Sequence, residues 1–176
     1  MPKETCTVTK EWESTQYDEV YASGGADKIY DIHYRRSGYF LLFKEVARTS
    51  RAHAATSVFE VGCGTGGFAH LLLDRGDVAY RGFDFSRVAV DRAKSRTGRP
   101  DLFFVGDARL AETDTGEFDS IASTEVLEHI EDDLEVIKNW RPGVFCVCSV
   151  PKLRRRKPCT RFWLKAASTK PLRVVD

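Results

Sequence analysis

The 176-residue chain contains no apolar run close to the roughly 18 residues needed to span a bilayer. Its first residues, Met1-Pro2-Lys3-Glu4-Thr5, lack the apolar core of a signal peptide. Neither a membrane span nor an export signal is therefore expected. The five cysteines (Cys6, Cys63, Cys146, Cys148 and Cys159) are odd in number and include no C-x-x-C pair, which argues against a disulfide framework and a structural zinc. Cys146 and Cys148 alternate within an apolar run, as small core residues on one strand face do. A reducing, cytoplasmic setting is the resulting expectation.

What is present fits one α/β domain: 42% of residues are hydrophobic and 30% charged, in a chain long enough for a proper core. The net charge of +1 conceals a split. Residues 1–151 hold 18 Lys+Arg and 25 Asp+Glu, a balance of −7, whereas residues 152–176 hold nine Lys+Arg and one Asp, a balance of +8. The acidic body counts against a nucleic-acid partner. A basic tail taken alone would be a weak sign of one.

The stretch that organises the chain is Val58-Phe59-Glu60-Val61-Gly62-Cys63-Gly64-Thr65-Gly66-Gly67. An apolar strand ends in alternating glycines and passes directly into a helical pattern at Phe68, Ala69, Leu71, Leu72 and Leu73. Strand-to-helix turns of this kind wrap the edge of a nucleotide cofactor. Gly62, Gly64 and Gly67 satisfy G-x-G-x-x-G, and Gly62, Gly64 and Gly66 satisfy G-x-G-x-G equally well. Charge separates the two readings. Glu60, two residues before the first glycine, would repel a pyrophosphate but suits a cofactor that carries an ammonium and a sulfonium. The run Glu60-Val61-Gly62-Cys63-Gly64-Thr65-Gly66 resembles motif I of the class I S-adenosylmethionine (SAM)-dependent methyltransferases.

The rest of the chain follows the same resemblance from about residue 12 to residue 151. Ser57–Val61 reads as the first strand, with a helix after it to about Arg75. The stretch from Ala79 to Ser86 holds a second strand ending in Asp84, 22 residues past Gly62, the spacing of a carboxylate that takes two ribose hydroxyls. Ser86 is placed to cap the helix from Arg87. A third strand exits at Gly106-Asp107-Ala108, and a fourth, Phe118–Ser123, runs into Thr124-Glu125-Val126-Leu127-Glu128-His129-Ile130. An acidic helix to about Asn139 and an apolar fifth strand, Val144–Val150, complete the pattern. Repeated βα units imply a three-layer Rossmann-like α/β sandwich with a mostly parallel sheet. The ligand then lies at the carboxyl ends of the strands.

The resemblance implies SAM as cofactor. It implies Glu60, Gly62, Cys63, Gly64, Gly66, Asp84, Phe85, Ser86, Asp107, Ala108 and Glu125 around it, with Asp107 and Ala108 at the adenine. It also implies methyl transfer to an O or N atom of a small-molecule acceptor. His129 is the candidate general base, its ordinary pKa of about 6.5 suiting that work. Residues 1–30, with Trp12, Tyr17, Tyr21 and Tyr30, are expected to form an arm or lid. The later part of residues 31–50 has the spacing of an amphipathic helix that Ser37 can cap, with Tyr34, Arg35 and Tyr39 as candidates to reach the cofactor carboxylate. Glu125, Glu128 and His129 at i, i+3 and i+4 would share a helix face, a divalent-metal set similar to the E-x-x-E-H run of some RNA 3′-end and quinone O-methyltransferases. Metal-free relatives share those letters, and no metal is expected.

After Pro151 the chain departs from the family, which continues into an antiparallel hairpin. Lys152-Leu153-Arg154-Arg155-Arg156-Lys157-Pro158-Cys159-Thr160-Arg161 lacks strand alternation and glycine. The closing hairpin is therefore expected to be lacking, and residues 152–176 to be irregular. One choice of codons for residues 152–161, shifted by a single base, reads Asn-Tyr-Asp-Asp-Glu-Ser-His-Val-Arg, similar to the V-P-N…S-H-V-R continuation of some bacterial relatives. On that reading the tail is out of frame. Two alternatives stand beside methyl transfer: a non-catalytic SAM-binding remnant, and an NAD-dependent oxidoreductase. The latter accounts for the glycines and Asp84 but leaves Glu60 unexplained, and the chain has no Tyr-x-x-x-Lys pair.

Overall fold

The structure is a computed structural model describing residues 11–23, 27–76, 78–110, 117–140, 144–154, 157–165 and 173–175, the last three segments beyond Val150 and residues 27 and 28 as backbone. Two short helices, α1 (Ser14–Ala22) and α2 (Asp27–Tyr30), precede α3 (Phe40–Ala52). Then come β1 (Ser57–Val61), α4 (Gly67–Arg75), β2 (Ala79–Asp84), α5 (Arg87–Thr97), β3 (Phe103–Val105), β4 (Ser120–Thr124), α6 (Asp133–Asn139) and β5 (Phe145–Arg154). Two further strands follow, β6 (Lys157–Lys165) and β7 (Arg173–Val175).

All strands join one sheet in the order β3-β2-β1-β4-β5-β6-β7. The first five are parallel. Their side chains alternate between two buried layers, as strand geometry requires. Val58, Tyr80 and Val147 pack with Val46, Phe68 and Leu72 on one face. Phe59, Val61, Phe83, Ile121 and Cys146 pack with Val136, Ile137 and Trp140 on the other. Cys146 and Cys148 are both buried in that second layer. At the opposite end of the sheet from the glycines, the Asp119 carboxylate accepts from Thr56 N (2.9 Å) and Ser57 N (3.1 Å) and from both hydroxyls, joining the starts of β1 and β4.

Two expectations are corrected here. The C-terminal strands are not lacking: β6 lies antiparallel to β5 from Cys146↔Lys165 to Arg154↔Lys157, and β7 antiparallel to β6. Beyond the basic run, Phe162-Trp163-Leu164 and Val174-Val175, whose β-branched and aromatic residues favour strands, supply the paired segments. Nor does Ser37 cap α3. Its hydroxyl accepts from Tyr39 N (3.1 Å) within a turn, and the helix starts after Tyr39 with no side-chain cap.

Candidate active site

The carboxyl ends of β1, β2, β3 and β4 open into a cavity of about 350 Å³. Its floor is the turn after β1. Gly62, Gly64 and Gly66 all have positive φ (76°, 50° and 78°), the left-handed region that side chains resist. Gly62 has a second constraint, since a Cβ there would sit 2.3 Å from Val126 Cγ2. The turn spends its own donors inward. Gly62 N and Cys63 N both donate to Phe83 O (2.9 and 2.8 Å), and Gly64 N donates to Asp84 Oδ2 (2.9 Å). The N–H groups of Gly62, Cys63 and Gly64 are thus satisfied within the protein.

Glu60 is 2% exposed and borders the cavity. The Tyr80 hydroxyl donates to Glu60 Oε2 at 2.5 Å. This contact depends on Gly82, which pairs with Glu60 across the sheet: a Cβ at residue 82 would lie 2.3 Å from the Tyr80 hydroxyl oxygen. Burial pushes the Glu60 carboxyl up to about 8, against the opposing pull of the Tyr80 bond. Asp84 is 7% exposed, with Oδ1 accepting from Ser86 N (2.9 Å) and Oδ2 from Gly64 N. Burial raises its carboxyl to about 6, although these backbone bonds oppose the rise.

Of the residues singled out in the sequence, the cavity brings together Glu60, Gly62, Cys63, Gly64, Asp84, Phe85, Asp107, Ala108, Glu125 and His129. Gly66 and Ser86 do not line it. A Cβ on Gly66 would meet Ala93 Cβ at 3.1 Å, so that glycine serves the approach of α4 to α5. Ser86 caps α5, its hydroxyl accepting from Ala89 N at 3.1 Å. Asp107 is clasped by Arg109, whose Nη2 lies 2.6 Å from Oδ2, and this holds its carboxyl below the usual range. Arg35 turns away to the Tyr34 hydroxyl (3.0 Å), whereas Tyr34 and Tyr39 do face the cavity.

Glu125, Glu128 and His129 do not form a helix face. Only Leu127–His129 makes a 3₁₀ turn, and Glu125 has φ 56° with its Oε1 accepting from the Ser149 hydroxyl (3.0 Å). They are absent from the one group of convergent metal-ligand atoms among the described residues. Burial lowers the His129 imidazole pKa, favouring the neutral base. It raises Glu128 to about 7, and Glu128 Oε2 is buried with no hydrogen-bond partner.

The aromatics named for an arm or lid, joined by Tyr39, wall the cavity. Trp12, Tyr17, Tyr21, Tyr30 and Tyr39 all line it. Tyr17 stands 5.0 Å from the Phe85 ring and 6.1 Å from His129. Tyr21 meets Tyr30 at 5.7 Å, and Tyr30 stacks on Tyr39 at 6.3 Å. Asp18 of α1 anchors this wall, with Oδ1 accepting from the Ser86 hydroxyl (2.5 Å) and from Val88 N (3.2 Å).

A family model described as a methyltransferase domain matches residues 59–144. The chain is 28% identical over 152 residues to phosphoethanolamine N-methyltransferase 1 of Triticum aestivum; the match covers 80% of this chain and 30% of that protein. The chain therefore spans about a third of the length of that relative. Among solved structures, the methyltransferase domain of bacterial CtHen1-CN superposes with a TM-score of 0.56 at 24% identity, covering 62% of this chain and 65% of that one. The PH0226 protein of Pyrococcus horikoshii superposes with a TM-score of 0.61 at 24% identity, covering 78% and 68%. At these identities the two structures speak for the fold alone.

Proposed function

We propose that the chain, which carries a methyltransferase domain, is a class I SAM-dependent methyltransferase that transfers a methyl group from SAM to a small-molecule amine. The observation that carries the acceptor class is Glu128. One of its carboxylate oxygens is buried without a partner in a cavity walled by Tyr17, Tyr21, Tyr30 and Tyr39. A buried acceptor that lacks a donor is costly, and aromatic faces attract cations. An alkylammonium group answers both. The wheat relative named above is likewise named for an amine.

The residues fit the cofactor. Glu60 would face its ammonium, Asp84 has lone pairs left that would take two ribose hydroxyls, and Asp107 and Ala108 would border the adenine, with Phe85 beside them. Gly62 and Gly64 let the ligand approach the main chain. The inward bonding of their N–H groups favours this cofactor over a dinucleotide, whose pyrophosphate would need those donors. SAM, when bound, supplies a methyl carbon electrophilic enough for a nitrogen lone pair to take. The chain's own task is to hold the acceptor in line and remove its proton. His129, held neutral, takes that proton, with Glu128 fixing the ammonium beside it.

Calorimetric titration of SAM, S-adenosylhomocysteine and NADH tests the reading, with Asp84→Ala as control. The expected result is binding of the first two, lost in the variant, and none of NADH. Binding of NADH alone overturns it in favour of an oxidoreductase. SAM binding without turnover on any amine or alcohol acceptor marks a non-catalytic remnant.

A further inference from the structure

One group of metal-ligand side chains converges among the described residues, and it lies outside the cavity: His33, His70 and Asp74. His70 and Asp74 are four residues apart on α4 and so share a face. His33 approaches from the loop just before the turn Tyr34–Arg36, its ring 5.0 Å from that of His70. Each of the three offers one donor atom, and these atoms lie within 4.8 Å of one another.

We propose that His33, His70 and Asp74 bind a single borderline divalent cation, best matched by zinc, with water completing a tetrahedral shell. His70 Nε2 and Asp74 Oδ1 are 3.6 Å apart. Two ligands each about 2.0–2.1 Å from a tetrahedral ion lie about 3.4 Å apart, so the pair already spans close to one edge of the polyhedron. Two imidazoles and one carboxylate are donors that zinc takes readily.

The surroundings orient two of the three groups. The Tyr34 hydroxyl donates to Asp74 Oδ2 at 2.7 Å, which leaves Oδ1 turned to the imidazole. Such an outer contact orients a metal-binding carboxylate. His70 Nδ1 is buried and unpartnered, so no bond within the fold fixes the ring in the tautomer that would protonate Nε2. The cost falls on both rings: ligation through His70 Nε2 leaves its Nδ1–H buried without an acceptor, and His33 Nδ1 accepts from Arg35 N at 3.3 Å. Coordination through either ring nitrogen gives up that bond, which is already longer than usual.

The consequence is structural. Ile32, Tyr34, Ser37 and Tyr39 flank His33 in the same segment, and all line the cavity. A metal bridging His33 to α4 clips that wall to the helix that follows the glycine turn. Cation binding then orders the cavity without touching its contents.

The test is calorimetric titration of Zn²⁺ into the chelator-stripped full chain, with His33→Ala and Asp74→Asn. Both side chains are exposed, so neither variant removes a buried group. The expected result is one equivalent bound by the wild type, an affinity at least about tenfold lower in each variant, and a zinc-dependent rise in melting temperature confined to the wild type. No binding by the wild type, or equal binding by all three proteins, overturns the site. Neither readout involves SAM or methyl transfer, so the result stands apart from the proposed reaction.

Discussion

Glu60 buries a carboxyl group whose folded pKa stands at about 8, against an ordinary 4.5. Between those values the unfolded chain has released the proton and the folded chain still holds it. Stability is therefore greatest below the lower value and falls as pH rises through the upper one. Asp84 and Glu128, also raised, contribute the same sign. Urea midpoints measured from about pH 5 to about pH 8 should fall for the wild type, and less steeply for Glu60→Gln, which cannot ionise. Equal slopes in the two proteins would show that Glu60 is ionised throughout. SAM should reverse the trend at this site, because its ammonium favours the carboxylate. Affinity should then climb over the same range in the wild type and stay flatter in the variant. Glu60 was legible in the sequence as the acid before the glycines. The Tyr80 partner and the burial were not, because they depend on Gly82 leaving space across the sheet. Gly62→Ala meets both a positive φ and Val126 at 2.3 Å, and should cost about 1–3 kcal/mol by urea unfolding. A loss of a few tenths would mean that Val126 simply rotates aside.

Helix α5 shows what a single capping residue does for two elements. The Ser86 hydroxyl accepts from Ala89 N and donates to Asp18 of α1, so one oxygen starts one helix and docks another. Ser86→Ala should remove about 1 kcal/mol of stability through the lost cap and also loosen α1. Asp18→Ala should leave the α/β core almost as stable while raising hydrogen exchange along α1, Ser14–Ala22, and weakening SAM binding. If exchange in α1 is unchanged, the aromatic contacts of Tyr17 and Tyr21 hold the helix without Asp18. The cap was readable from the sequence, as were β1, α4 and α5, because strand and helix periods and the Gly76 and Gly98 stops act locally. The docking of α1 was not readable, since nothing in Ser14–Ala22 names Ser86 as its partner. The Glu125–His129 segment misled for a related reason. Its helix-like spacing yields to the turn that puts Glu125 at φ 56° and Oε1 on Ser149.

Across the whole molecule, the five parallel strands follow from repeated βα units, and the edge of β5 is where the sequence reading ended. In the fold, β6 covers that edge from Cys146 onward, so β5 pairs on both sides. An uncovered β5 would present an apolar strand, Phe145–Val150, with unpaired amides and carbonyls, a template for association. A chain ending at Arg154 should therefore elute as larger species and lose hydrogen-exchange protection at the β5 amides that face β6. If it instead elutes like the full chain with β5 protection intact, β6 does not cover the edge in solution. The out-of-frame reading of residues 152–176 makes a different demand. The gene should contain, one base away, a longer frame opening with Asn-Tyr-Asp-Asp-Glu and continuing with strand alternation. A chain expressed from that frame should melt higher than the 176-residue form and bind SAM more tightly, because a strand selected to pair with β5 would replace a fortuitous one. If no such frame exists, Phe162-Trp163-Leu164 is the native partner of β5.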